Sequence, residues 1–255
     1  LDKALFAGFA PGELTLLGAR PGVGKSAMAG SIALHLSLQG AKVCIVSLEM
    51  SPEQYGQRLL SHCAGVDGEA IRRAELKPEK LDALAQSMSC LSLLPLTFLF
   101  KCRTLEGLCA AVRQRMDEEG LDLLIIDYLQ LLRLERPGVS DYERVSEISR
   151  RLKELAVTQS LPILALAQLS RAASGRLDKR PLLSDLRDSG ALEQDADNVL
   201  FLHRPESADD RGVPPSDRER FARAVEAGMH YLYLSVEKQR QGRTGFGRLL
   251  FDPKT

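Results

Sequence analysis

The 255-residue chain has no run of 18 apolar residues, so no segment is long enough to cross a bilayer as a helix. The basic stretch, apolar core and small-residue cleavage site of a secretory signal are also missing. The first residue is Leu1 rather than Met, which fits a piece of a longer protein. The five cysteines (Cys44, Cys63, Cys90, Cys102 and Cys109) contain no C-x-x-C pair, and their number is odd. Reduced, packed thiols in a cytoplasmic protein are the expectation, not a disulfide framework. The four histidines, His35, His62, His203 and His230, show no metal-ligand spacing. Excess charge of either sign is lacking too: Lys plus Arg equals Asp plus Glu at 34 each. That balance argues against a protein coated with nucleic acid, but leaves room for a local groove or pore. Internal repeats and low-complexity segments are absent.

What the chain does contain is a phosphate loop, Ala19-Arg20-Pro21-Gly22-Val23-Gly24-Lys25-Ser26, followed by Ala27. It meets the pattern G-x-x-x-x-G-K-[ST] except at the first position, where Ala19 replaces glycine. Two glycines allow backbone N–H groups to turn around a phosphate. Lys25 can reach the β- and γ-phosphates, and the Ser26 hydroxyl can ligate Mg²⁺. The apolar run Glu13–Leu17 before the loop predicts a strand. The apolar spacing from Ala27 to Leu38, closed by Gly40, predicts a helix whose positive end faces the same anion. The bland alternative is a glycine-rich turn with a chance Lys-Ser.

Further strands are expected at Lys42–Leu48, Pro95–Phe100, Leu121–Asp127, Leu161–Ala167 and Asn198–His203. Helices are expected from Ser51, near Asp67–Glu75 and Pro78–Ser89, and at Thr104–Glu119 and Asp141–Ser160. This alternation predicts an α/β fold with a mostly parallel sheet covered on both faces. Met229–Glu237 and Gly245–Phe251 follow without a helix between them and predict an antiparallel edge hairpin. Pro205–Arg220 is polar and reads as an exposed excursion.

Three strand ends carry polar groups, where open α/β sheets bind ligands. Asp127 closes Leu123-Leu124-Ile125-Ile126, and as a Walker B acid it would approach the Mg²⁺ on Ser26. Glu49, in Ser47-Leu48-Glu49-Met50, could orient an attacking water as a general base, or simply favour the dipole of the next helix. Gln168 could sense a γ-phosphate or bond a loop backbone. Lys238 and Arg240 suit cationic fingers at a turn, and equally a solvated basic hairpin.

Taken in order, Ala19–Ser26, Ser47–Met50, Ile125-Ile126-Asp127-Tyr128-Leu129-Gln130-Leu131, Gln168-Leu169-Ser170-Arg171, Ser184–Asp197 and Lys238-Gln239-Arg240-Gln241-Gly242 resemble the DnaB family of bacterial and phage replicative helicases. The resemblance covers nearly the whole chain and points to the family's C-terminal RecA-like ATPase domain. It implies one RecA-like domain over residues 1–255, without the family's N-terminal helical domain and most of its linker helix. It implies ATP and Mg²⁺ as cofactors, and a homo-oligomer, usually a hexameric ring, with ATP at subunit interfaces. It implies that Arg58 contacts phosphate alongside residues 19–27, that Glu49 is the catalytic carboxylate and that Lys238 and Arg240 act on the neighbour's γ-phosphate. Arg187, Asp188 and Gly190 match a pore loop that follows single-stranded DNA. Primase and a helicase loader are the implied protein partners, and no membrane is implied. Gln239 and Gln241 depart from the family's asparagines. Arg133–Tyr142 occupies the place of a second pore loop.

Other readings share the phosphate loop. They are a RecA-like recombination or branch-migration ATPase, an ATP-gated assembly module without unwinding, and a small-molecule kinase. The sequence shows no arginine-bearing lid of the kind the last would need.

Overall fold

A computed structural model describes residues 8–136, 138–170, 176, 178–186, 190–210 and 213–255. Among the described residues eight strands form one sheet. They are β1 (Leu14–Ala19), β2 (Val43–Ser47), β3 (Leu96–Leu99), β4 (Leu123–Asp127), β5 (Ile163–Gln168), β6 (Asn198–His203), β7 (His230–Gln239) and β8 (Gly245–Phe251). Their order across the sheet is β3-β2-β4-β5-β1-β6-β7-β8. The strands from β3 to β6 pair in parallel, and β7 and β8 close the edge antiparallel.

The parallel strands are apolar on both faces because both are covered. In β4, Leu124 and Ile126 enter one core while Leu123 and Ile125 enter the other. β5 alternates in the same way, with Ile163, Ala165 and Ala167 against Leu164 and Leu166. Side chains alternate with a period of two, so a strand buried on both faces reads as one unbroken apolar run. Each fully buried Leu or Ile contributes about 1.5–3 kcal/mol. Helices α1 (Lys25–Leu38), α2 (Pro52–Ala64), α3 (Gly68–Arg73) and α4 (Pro78–Ser92) follow in the first half of the chain. Helices α5 (Leu105–Glu118), α6 (Asp141–Thr158), α7 (Gly190–Asp195) and α8 (Arg218–Glu226) follow in the second. Leu105, Leu108 and Val112 of α5 and Ile148, Leu152 and Leu155 of α6 share one core. Ala29 and Ala33 of α1 and Tyr55 and Leu59 of α2 share the other.

Local chemistry sets the helix starts. Ser51 and Ser140 each make a reciprocal capping box, with Gln54 and Glu143 respectively, and Pro52 fills the first turn of α2. Gly18 lies mid-strand in β1 for a packing reason. A Cβ there would come within 2.7 Å of the Phe201 ring. All five cysteines are free. Cys44 and Cys109 are buried, and burial pushes the Cys44 thiol up to about 12.

The excursion expected at Pro205–Arg220 is only partly exposed. Val213 and Asp217 are buried, and the chain turns there into α8, which patterning alone does not reveal. Phe221 and Ala224 of α8 pack with Val213, Tyr231 and Tyr233 in a small separate core. Under it the Asp217 carboxylate, 1% exposed, accepts hydrogen bonds from the Tyr233 hydroxyl at 2.9 Å and the Arg248 guanidinium at 2.6 Å. A chain this polar folds back because one buried acid has partners 16 and 31 residues away.

The Arg248 hydrogen bond holds the Asp217 carboxyl below the usual carboxylate range. A depressed folded-state pKa contributes stability above the unfolded value and loses it as pH falls through the folded value. Asp217→Ala leaves the Tyr233 hydroxyl without its partner. It is expected to destabilise the chain by about 1–3 kcal/mol in denaturant unfolding at neutral pH. The gap to wild type should shrink in acid, and a gap independent of pH would refute the assignment.

Candidate nucleotide site

The phosphate loop leaves β1 at Ala19 and enters α1 at Lys25. Gly22 and Gly24 hold positive φ angles of 74° and 115°. No atom of the described residues lies within 4 Å of the Cβ either would carry, so backbone conformation, not crowding, demands glycine here. Helix α1 starts without a side-chain cap and without an acidic residue in its first turn. Its first N–H groups therefore have no intrahelical acceptor and no capping side chain among the described residues, and no acid in the first turn offsets the positive end of the helix dipole. That is the arrangement a phosphate binds.

Lys25 is buried. Its Nζ donates to the Ala19 carbonyl at 3.1 Å and lies 5.7 Å from the centre of the Tyr128 ring. Burial lowers its pKa, against the opposing pull of Asp127 and Glu49. Asp127 ends β4 opposite Ser47 of β2 and is 0% exposed. Neither of its carboxylate oxygens has a hydrogen-bond partner of normal geometry among the described residues. Burial raises its pKa and the nearby charge of Glu49 adds to that, while Ser26, Lys25 and Arg58 act in the other direction. A buried carboxylate with no donor but the nearby Ser26 hydroxyl, close to the Lys25 ammonium, suits an added positive charge.

These donors fit Mg²⁺. That ion takes one or two protein oxygens and completes its shell with water and phosphate, so no larger cluster of ligands is needed. Indeed, no group of three or more His, Cys, Asp or Glu residues among the described ones could hold a metal. Glu49 follows β2 two residues past the Ser47–Asp127 pair and is exposed. Its charge acts on Lys25, Asp127 and Tyr128. Arg58 is exposed on α2 and shares a small cavity with Ala27, Gly30 and Ser31 of α1. Gln168 ends β5 in register with Ala19. Ala19, Lys25, Ser26, Glu49, Asp127 and Gln168 thus come together at the C-terminal rim of the sheet, with Arg58 near Asp127.

Lys238 and Arg240 do not join them. Gln239 pairs with Asn198 at the start of β6, and Asn198 pairs with Thr15 near the start of β1. The phosphate loop leaves the other end of β1, so about 13 Å of strand separates the two places at about 3.3 Å per residue. Lys238 is not free at a turn either. Its Nζ donates to the Ala196 carbonyl at 2.8 Å and to those of Glu193 and Gln194 at the end of α7. Arg240 donates to the Gln194 carbonyl at 2.8 Å and pairs with Asp197 at 3.3 Å.

Asp197 is a residue that sequence reasoning leaves without a role. Its buried carboxylate also accepts from Leu14 N at 2.8 Å and Lys153 Nζ at 2.7 Å. Those partners lie too far apart in the chain for any spacing to signal them. Arg187 and Asp188 lie outside the described residues. Gly190, the third pore-loop candidate, is exposed at the first position of α7.

The family model of the DnaB-like helicase C-terminal domain matches residues 1–255. The chain belongs to that family. It is 42% identical over 198 residues to a protein of Chlamydia psittaci named "Probable plasmid replicative DNA helicase", covering 76% of this chain and 43% of that one. It is 36% identical over 257 residues to the replicative DNA helicase DnaB of Geobacillus stearothermophilus, covering 98% and 53%. Among solved structures, the ATPase domain of G40P superposes with a TM-score of 0.86 at 29% identity, covering 99% of this chain and 86% of that one. A DnaB-like replicative helicase, described together with its interactions with primase, also gives 0.86 and 29%, covering 99% and 59%. The chain therefore has the RecA-like fold of a replicative DnaB-type ATPase domain. It spans about half the length of the curated relatives it matches. Among the described residues, no helix is long and apolar enough to cross a membrane.

Proposed function

We infer that this chain, a single RecA-like unit, is the motor of a replicative DNA helicase that hydrolyses ATP between subunits and moves along single-stranded DNA. The observation that carries this reading is the split site. Phosphate loop, Glu49 and Asp127 share one rim of the sheet, and Lys238 and Arg240 lie at the other. A chain with both halves but no way to join them internally makes a complete site only against another copy, through a head-to-tail contact, which is the kind of contact that builds rings when its rotation closes. The full-length protein would be a homo-oligomer, hexameric by family resemblance, with primase and a helicase loader as partners.

In this reading residues 19–27 wrap the phosphates of ATP with main-chain N–H groups, and Lys25 neutralises the β- and γ-oxygens. Arg58 adds a further phosphate contact. Ser26 and Asp127 hold Mg²⁺, whose charge offsets that developing on the phosphates. Glu49, exposed at the rim, orients the attacking water and accepts its proton. Gln168 senses the γ-phosphate. Arg240, with Lys238, enters from the neighbour and stabilises charge on the transferring phosphoryl group, where catalysis is mostly positioning and electrostatics. Arg187, Asp188 and Gly190 hold DNA phosphates without regard to base, which suits a neutral chain better than a broad basic surface would.

ATP hydrolysis by the full-length protein should rise more steeply than linearly with protein concentration and increase when single-stranded DNA is added. A rate per subunit indifferent to concentration would remove the inter-subunit site. A rate indifferent to DNA would remove the translocase.

A further inference from the structure

Gln168 stands between the nucleotide rim and the segment that leads to the pore-loop residues. On one side β5 pairs with β1, with Gln168 opposite Ala19, and Leu169 N donates to the Ala19 carbonyl at 3.2 Å. Leu169 then bridges to Leu186, the residue before Arg187. On the other side the support from β4 ends early, because the last β4–β5 pair is Ile126 with Ala165. Leu166, Ala167 and Gln168 run on past it.

Gln130 fills that gap. Its Nε2 donates to the Gln168 carbonyl at 3.1 Å, and its Oε1 accepts from Gln168 N at 3.2 Å. A primary amide has one acceptor and two donors, so a single side chain can stand in for a peptide group of the missing strand. The turn that carries it, Leu129–Leu131, is itself fixed from α6. The Arg144 guanidinium donates to the carbonyls of Gln130 at 2.7 Å and Leu132 at 2.8 Å, and to Asp141 at 2.9 Å. Arg144 is only 22% exposed. Both contacts are to main-chain atoms of Gln168, so its half-buried side-chain amide takes no part in the clamp. The clamp thus grips the main chain of Gln168 and not its side chain.

We propose that Gln130 is a positioning residue that locks the main chain of Gln168 and so couples the nucleotide rim to the DNA-contacting segment. The proposal rests on the helicase reading above. A displacement of Gln168 toward or away from a γ-phosphate is shared by Leu169, and through the Leu169–Leu186 bridge it reaches the residue that precedes Arg187. Without Gln130 the end of β5 is held on one side only, and the same displacement dissipates in the strand end. Two sites coupled through one element is the physical content of such a linkage.

The test uses the full-length protein in three forms: wild type, Gln130→Ala and Gln130→Glu. Affinity for a fluorescein-labelled oligothymidylate is measured by anisotropy with and without a non-hydrolysable ATP analogue. Affinity for a fluorescent nucleotide and the thermal midpoint are measured in parallel. Coupling of this kind amounts to about 5–150-fold in affinity, and Gln130→Ala is expected to remove most of the nucleotide-driven gain. Nucleotide affinity measured without DNA should stay close to wild type, which general loosening of the nucleotide rim would not allow, while the thermal midpoint should fall modestly because Gln168 N–H and C=O lose their partner. Gln130→Glu keeps the side-chain size and the acceptor for Gln168 N but sets a carboxylate oxygen against the Gln168 carbonyl. The same loss is expected there, which guards against a packing defect peculiar to alanine.

A wild type with the gain and a Gln130→Ala protein that retains it overturns this assignment alone. Equal losses of nucleotide affinity and DNA affinity in both variants also overturn it, because they mark a structural role. A wild type whose DNA affinity ignores nucleotide overturns the helicase reading and this one together.

Discussion

Arg240→Ala is expected to lower ATP turnover in the assembled protein by about 10³–10⁵-fold, the size of effect that an arginine finger supplies elsewhere. Nucleotide affinity of an isolated subunit should be unchanged, because Arg240 cannot reach its own phosphate loop. In the free chain Arg240 is engaged with the Gln194 carbonyl and Asp197, but its side chain is 49% exposed. An ion pair that open to water is worth about 0–1 kcal/mol, so in the proposed assembly a neighbour's phosphate would displace it at small cost.

Mixing makes the test specific. A Lys25→Ala subunit lacks the loop cation but has the finger, and an Arg240→Ala subunit has the reverse. Each alone should be nearly inactive. Mixed, they form some interfaces with an intact loop facing an intact finger, and activity should partly return. If Arg240→Ala keeps wild-type turnover in the assembled state, the site is not shared between subunits. If the mixture gives no recovery, Arg240 acts within its own chain or only through folding.

Glu49→Gln is expected to reduce kcat by about 10²–10⁴-fold, the range for loss of a general base. The change is isosteric and the residue is exposed, so the thermal midpoint should hardly move. Nucleotide affinity should change little, since Glu49 is proposed to hold the attacking water and not the phosphates. Asp127→Asn makes the contrast. Asp127 is buried, and its carboxylate is proposed to hold Mg²⁺, so its loss should appear as weaker Mg²⁺-dependent nucleotide binding. A Glu49→Gln protein with full turnover would move the base elsewhere. One that failed to bind nucleotide would place Glu49 among the binding residues.

Much of the candidate site is legible in the sequence, and the reason is locality. The phosphate loop is contiguous, so its glycines, Lys25 and Ser26 are placed by main-chain geometry set within a few residues. Asp127 and Glu49 are legible because apolar runs mark buried parallel strands, and the polar residue that ends such a run stands at the rim where ligands bind. The expected strands fall within a few residues of the observed ones for the same reason. Helix α8 escapes such reading because its signals are charge and Pro214-Pro215, while the acid that anchors it, Asp217, is satisfied from β7 and β8.

The order of residues is enough to specify a nucleoside triphosphate site on a parallel α/β sheet, and the succession of motifs is enough to point to the DnaB family. It is the folded sheet that sets the phosphate loop and Arg240 at opposite ends of β1. The folded sheet also lets Gln130 grip Gln168 across 38 residues of chain, and Asp197 reach Leu14 across 183. Periodicity and caps report contacts within a turn or a strand, whereas register and strand order are set when distant segments bury their apolar faces together. The proposed divided site would therefore leave no mark in spacing, because the distance that matters runs through the sheet and not along the chain.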